Sequence, residues 1–375
     1  MKIYFPIGAF YPSQIGGPCN TLFWHTCALA SKGIDVDITT TSIGIKPGVV
    51  KHNKILEKEC GKVYYGSASH ISWDIVKQIF AGVRSADVVH LNSLFHIISI
   101  ISFFYTRIFF PKKKIIWSVR GELSPNALNF SKIKKKPFLF LYKRSTKNIL
   151  FHSTAEKETE EIRSVFGNVN IVEVPNFIQP SKRIEDATTK KQFLFVGRIH
   201  KIKALHKMIE GFSMSKLFMN SEYILAIVGK HEERHLDYYK ELLELIISKN
   251  MQDKIQWKGH LTGEEKEKIY AESFAFILPS ETENFGNVVL ESLNQSIPVI
   301  ASKKTPWSIL EKYQCGFNID NTPQSIAETI DKIMGMPEEQ YQKMRENATL
   351  LVDEKFNIRT QIYNWLNIYK NENPK

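Results

Sequence analysis

Cysteine is scarce. The 375 residues hold four, Cys19, Cys27, Cys60 and Cys315, scattered and without a CxxC spacing. That excludes a disulfide framework and a thiolate metal site, and it fits reduced thiols in the cytoplasm. Long apolar runs are lacking too. The longest, 94–110, includes His96 and Arg107. A bilayer span takes about 20 apolar residues, so a helix buried against a sheet is expected instead. The opening MKIYFPIGAFYPS turns polar too soon for a secretory signal and reads as a first strand. No G-x-G-x-x-G follows that strand, which argues against a dinucleotide oxidoreductase. The D-x-D spelling Asp35-Val36-Asp37 lies at the start of a strand, the end away from the ligand crevice of open α/β sheets. No metal and no cofactor are therefore expected.

What is present suits a globular enzyme in two parts. A chain of this length exceeds one ordinary core, and its 43% hydrophobic content can fill two. Short β-rich runs at 2–8, 35–41, 88–92, 115–119, 149–153 and 171–174 alternate with helical patterns. After a polar, aperiodic stretch at 179–191 the alternation restarts, with strands expected at 193–197, 223–228, 255–258, 275–278 and 298–301. Such alternation implies parallel sheets with helices on both faces. The fold class is thus α/β, with two doubly wound domains, 1–178 and 179–355. A final helical pattern at 356–375 is expected to return to the first domain, with Tyr363 and Trp365 as packing residues.

Charge is unevenly spread. Residues 1–178 hold 23 basic and 12 acidic side chains, an excess of +11, and the rest of the chain is neutral. Within 107–147 there are 12 basic residues and one acid, Glu122, so that segment carries an excess equal to the whole net charge. Cations interleaved with aromatics in KIKKKPFLFLYKR suit an anionic surface. A solvated face without a partner is the plainer alternative.

Two segments of the second half point to chemistry. SETENFGNVVLESL, 280–293, runs from the end of a strand through a loop into a helix that starts near Gly286. A helix start carries unpartnered amides and a positive dipole end, and it favours a phosphate. Glu283 and Glu291, eight residues apart, flank this turn and could accept hydrogen bonds from sugar hydroxyls. The plainer reading makes Glu291 a surface helix residue and Glu283 a capping one. FVGRIHKIKAL, 195–205, ends a strand at Gly197 and places Arg198 and Lys203 where two cations could neutralise a diphosphate.

Together these segments resemble the family-4 retaining glycosyltransferases, which have the GT-B fold. The family carries a Gly-Arg…Lys segment, here Gly197-Arg198…Lys203, and a Glu, seven residues, then Glu, here Glu283 to Glu291 with Phe285-Gly286 between. The resemblance extends to Gly16-Gly17, Pro175-Asn176-Phe177 and Thr305-Pro306-Trp307. It implies that Arg198 and Lys203 hold the donor diphosphate, Glu283 the transferred sugar and Glu291 the ribose. The amides of Phe285, Gly286 and Asn287 would face the sugar and diphosphate. Gly16 and Gly17 would approach the phosphates from the other side of a central cleft, and His260-Leu261 would read the base through backbone. Many members have a His-Gly pair after an N-terminal strand; here Val119-Arg120-Gly121-Glu122 stands in that place. Arg120 and Glu122, with His90 and Asn92 at another strand end, are the candidates for the acceptor and sugar side. A lone histidine such as His90 is more often a hydrogen-bonded structural residue.

The resemblance thus implies metal-independent transfer from a nucleotide-sugar donor, and the basic segment 107–147 points to a glycan or lipid-linked acceptor in bacterial surface polysaccharide assembly. A cytoplasmic protein, peripheral on the inner face of the membrane through 107–147, is expected. The alternatives are a GT-B protein that binds nucleotide sugar without turnover, separated by donor hydrolysis or transfer, and a basic nucleic-acid-binding protein, separated by steep salt dependence. The neutral second half and the lack of a nucleic-acid motif argue against the latter.

Overall fold

The computed structural model describes the chain except residues 14, 16, 68–69, 130–131, 182, 185–186 and 371–375. It divides into two compact units: Met1–Gln179 with Ile358–Lys375, and Pro180–Asn357.

The first unit is built on eight strands: β1 (Lys2–Pro6), β2 (Asp35–Thr40), β3 (Ile55–Lys58), β4 (Gly61–Tyr65), β5 (Val88–Asn92), β6 (Lys114–Ser118), β7 (Ile149–Ser153) and β8 (Ile171–Glu173). They lie in the order β3-β4-β2-β1-β5-β6-β7-β8. All pairings are parallel except β3 with β4, an antiparallel hairpin at the edge. Sequence periodicity missed this hairpin because β3 is polar and exposed, with only its partner buried. Alternation along β1 sends Ile3 and Phe5 into one core, with Leu22, Leu29 and Trp365, and Tyr4 into the other, with Ile79, Ile98 and Trp117. The run read as a buried helix forms Ile97–Phe109, with Ile98, Phe103 and Thr106 buried. Among the described residues no helix is long and apolar enough to cross a membrane.

The closing helix, Ile358–Lys370, belongs to this first unit. Trp365 and Tyr369 are buried in its core. Tyr363 differs from expectation: it is 54% exposed, and its hydroxyl accepts a hydrogen bond from Lys32 at 2.9 Å.

The second unit has β9 (Gln192–Val196), β10 (Ile224–Val228), β11 (Ile255–Gly259), β12 (Ala275–Leu278), β13 (Val299–Ser302) and β14 (Gly316–Ile319). All are parallel, in the order β11-β10-β9-β12-β13-β14. The last strand was not expected from the sequence, whose GFNI run is short and half polar. Two described residues of the polar stretch before β9 are tied to the second unit. Arg183 bonds the Asn294 carbonyl and pairs with Asp353 at 2.8 Å, and Lys190 pairs with Glu272 at 2.6 Å.

In each sheet the chain reverses its winding direction once, between β1 and β5 and between β9 and β12. A doubly wound sheet opens a crevice at the carboxyl ends of the two strands flanking such a reversal.

Candidate functional site

In the second unit that crevice belongs to β9 and β12. Beyond β9 the chain continues through Arg198 into a short 3-10 turn, Lys201–Lys203. Beyond β12 come Ser280, Glu281 and Glu283, and then the helix Asn287–Asn294. The two loops are tied together, since the Glu281 amide donates to the Ile202 carbonyl at 2.7 Å.

That tie brings two predicted residues together. Lys203 and Glu283 form an ion pair, each side chain about 15% exposed or less. Ser280 Oγ donates to the same Glu283 oxygen at 2.7 Å. A partly buried carboxylate with a cation and a hydroxyl on one oxygen is held in a fixed rotamer. Beside this pair lies a second one that sequence reasoning missed. Glu281 accepts from Lys207 at 2.5 Å and from Asn321 at 3.2 Å, and it pairs with Lys304. Burial pushes the Glu281 carboxyl up, but the two lysines outweigh it and hold the group below its ordinary value. Lys203 ends the 3-10 turn and Lys207 lies in the first turn of the helix Leu205–Met214, with the left-handed Ala204 between them, so spacing along the chain did not signal this second pair.

Gly286 precedes the helix with φ +87°, a left-handed conformation that a side chain would strain. A Cβ there would also lie 3.2 Å from Leu278. Phe285 is buried against Trp307 and Phe356, and its carbonyl accepts from Trp307 Nε1 at 2.6 Å. Asn287 is the first helical residue, and Glu291 lies one turn further on. Glu291 is held by Lys266 at 2.6 Å and Tyr270 at 3.0 Å, neither of which the sequence reading singled out. His260 and Leu261 follow β11 in an exposed loop, after Gly259 at φ +67°.

Arg198 stands apart from the Lys203–Glu283 pair. Its side chain is 70% exposed and meets Glu232 at 3.4 Å, while Arg234 meets the other Glu232 oxygen at 2.5 Å. An exposed, solvent-screened pair of this kind is weak, so the guanidinium is easily drawn to a stronger anion.

In the first unit the picture differs from expectation. Gly16 lies outside the described residues, and Gly17 begins the helix Gly17–Ser31. His90 is fully buried. Its Nδ1 meets the Tyr369 hydroxyl at 2.6 Å and its Nε2 meets Ser118 Oγ at 2.8 Å, and Ser118 meets His152 Nδ1 at 2.7 Å. Burial, then the neighbouring His25, His152 and Arg120, push its pKa well below the usual value. It is a neutral structural residue, not a ligand contact. Glu122 is likewise spent: it accepts from Ser93 Oγ at 2.7 Å and from the amides of Leu94 at 2.5 Å and Phe95 at 3.3 Å. It fixes the entry to the helix Ile97–Phe109. Arg120, at φ +59°, donates to Asn92 Oδ1 at 3.0 Å and to Asn176 Oδ1 at 2.9 Å. Asn92 and Arg120 therefore form one cluster at the carboxyl edge of β5 and β6, bonded to each other.

Asp35 and Asp37, the D-x-D spelling, lie along β2 and pair with Lys2 at 3.8 and 2.7 Å. The four cysteines are free thiols, three of them buried.

Residues 178–350 match the family model for glycosyl transferases group 1. The chain is 28% identical over 189 residues to a sucrose synthase from Melioribacter roseus, covering 46% of this chain and 24% of that protein. It is 24% identical over 227 residues to the capsular polysaccharide biosynthesis glycosyltransferase CapM of Staphylococcus aureus, covering 56% of each. The chain thus spans between a quarter and just over half the length of these curated relatives. Among solved structures, Anabaena HepE in complex with UDP and glucose aligns with a TM-score of 0.78 at 16% identity, covering 99% of this chain and all of that one. Sucrose-phosphate synthase from Thermosynechococcus elongatus aligns at 0.76 and 16%, covering 99% and 98%. Residues 178–350 are thus similar to the group 1 glycosyl transferases, and the chain has the GT-B fold.

Proposed function

We propose that this protein is a retaining glycosyltransferase that takes a sugar from a nucleotide-sugar donor and passes it to a glycan or lipid-linked glycan acceptor in bacterial surface polysaccharide assembly. The donor binds in the second unit. The observation that carries the reading is the Lys203–Glu283 pair at the winding reversal of that sheet, directly before a helix start opened by Gly286. A dianionic diphosphate fits the cations Arg198 and Lys203 and the positive end of the helix. Glu283 meets the transferred sugar. Arg198 and Lys203 stabilise the departing diphosphate as the anomeric carbon–oxygen bond breaks. The acceptor oxygen attacks from the same face and its proton passes to the leaving phosphate, so no separate base and no metal is required. The polar cluster of Arg120, Asn92 and Asn176 is the acceptor-side candidate of the first unit.

A thermal-shift screen of nucleotide sugars identifies the donor, since a bound ligand raises apparent stability by mass action. With that donor, Arg198→Ala lowers turnover by a factor on the order of hundreds, the effect of losing about 3–4 kcal/mol of transition-state stabilisation. Near-normal turnover in R198A would remove the diphosphate role.

An anionic membrane surface is the proposed partner of 107–147. The support is geometric. Glu122, the sole acid there, is turned inward, whereas Lys134 and Lys136 are exposed. On the helix Lys132–Lys143, Ile133 is 85% and Phe140 56% exposed, and Arg144 stacks over Phe140 at 3.6 Å. Exposed apolar residues among cations suit the headgroup boundary of a bilayer. The full chain should float with vesicles containing anionic lipid, and K134E/K136E should weaken this severalfold or more, at roughly 1 kcal/mol per cation. Equal flotation with neutral vesicles would remove the electrostatic part.

A further inference from the structure

Lys266 and Tyr270 lie four residues apart on the helix Gly263–Ala271, hence on one face. Both reach the same atom. Lys266 Nζ is 2.6 Å from Glu291 Oε2, and the Tyr270 hydroxyl donates to that oxygen at 3.0 Å. Neither bond uses Oε1. Tyr270 is 1% exposed, and burial, reinforced by the Glu291 charge, keeps its phenol well above its ordinary pKa. It therefore remains a donor across the whole working range of pH. Lys266 and Glu291 keep about a quarter of their side-chain surface, so the pair is accessible to solvent.

Two donors converging on one carboxylate oxygen do more than neutralise charge. A cation alone leaves the carboxylate free to rotate about its last bond. A second donor from a buried ring fixes that rotation and so fixes where the other oxygen points. An acceptor held in this way loses little rotamer freedom when a ligand binds, and its hydrogen bond is stronger for it. The helix that carries both donors follows directly on the exposed loop after β11, so loop and carboxylate are held by one element.

We infer that Lys266 and Tyr270 are positioning residues that lock the Glu291 carboxylate by Oε2, so that Oε1 accepts from the ribose hydroxyls of the donor nucleotide and selects ribose over deoxyribose. This rests on the donor-binding reading above. The three residues act as a set, because removal of either donor frees the carboxylate to turn away or to find another partner.

The test uses the full chain and isothermal titration with UDP, GDP, ADP and CDP, each beside its 2′-deoxy counterpart. The unaltered protein prefers the ribo form of its nucleotide. Tyr270→Phe and Lys266→Met each weaken the ribo form about tenfold, the effect of one hydrogen bond to a charged group, and leave the deoxy form little changed. The ribo-to-deoxy ratio therefore falls towards one, as it does in Glu291→Ala, while Lys266→Arg keeps most of it. In the transfer reaction the donor KM rises and kcat at saturation holds. Equal weakening of both forms would mean a structural role and overturn the inference. So would an unchanged ratio in Y270F and K266M when E291A abolishes it. If E291A and R198A both leave nucleotide affinity unaltered, the donor-site reading itself fails, and this inference falls with it.

Discussion

Lys203→Met gives a direct test of the site's construction. Lys203 and Glu283 pair with side chains 15% and 13% exposed, and Ser280 donates a further bond to that carboxylate oxygen. Removing the lysine keeps the volume roughly constant but leaves a largely buried carboxylate without its cation. Breaking a fully buried pair costs about 3–5 kcal/mol, and the residual solvent here lowers this to about 2–3. The unit concerned runs from Pro180 to Asn357. For a domain of that size each kcal/mol moves the midpoint by about 2–4 °C, so Tm should fall by about 4–12 °C. The double variant K203M/E283Q removes the stranded charge and should recover about 1–2 kcal/mol of the loss. Urea denaturation of the parent, both single variants and the double variant completes the cycle. A K203M loss below about 0.5 kcal/mol, or strict additivity in the double variant, would show that the two side chains do not depend on each other.

Two further outcomes follow from the structure. Gly229→Ala would place a Cβ 1.9 Å from the Gly197 carbonyl oxygen, a backbone atom just before Arg198. The ends of β9 and β10 must then part, so stability should fall by about 1–3 kcal/mol in urea melts and nucleotide-sugar affinity should fall with it; an unaffected melt would contradict the packing. In the first unit, burial, then the nearby Arg120 charge, press His152 down to about 3. Its folded value lies below the unfolded one of about 6.5, so the unfolded chain binds the proton first. The contribution of this site is complete above about pH 6.5 and is lost as pH falls towards 3, which amounts to about 2 kcal/mol by pH 5. Denaturation at pH 7 and pH 5, with His152→Gln as the flattened control, reads this; a steeper acid loss in H152Q would reverse the assignment.

The sequence by itself determined the elements and the chemistry-bearing turns. Alternating apolar runs and helical patterns, with Gly197, Gly286 and the polar 179–191 stretch as punctuation, are local signals. They fix β9, β12 and the helix Asn287–Asn294 because propensity, burial pattern and glycine conformation act within a few residues. The short polar strands β3 and β14 escaped because their stability comes from neighbours in the sheet rather than from their own composition. Pairing across the chain was decided only by the tertiary structure. Residues 80 apart, Lys203 and Glu283, met as an ion pair because β9 and β12 became neighbours. By contrast, Arg198 turned outward to Glu232. His90 and Glu122 carry the residue types of a ligand site, yet both are consumed by Tyr369, Ser118 and the amides before the helix Ile97–Phe109. A side chain's partners depend on which strands adjoin and which donors are left unsatisfied when they do. Those are properties of the assembled sheet, and spacing along the chain does not carry them.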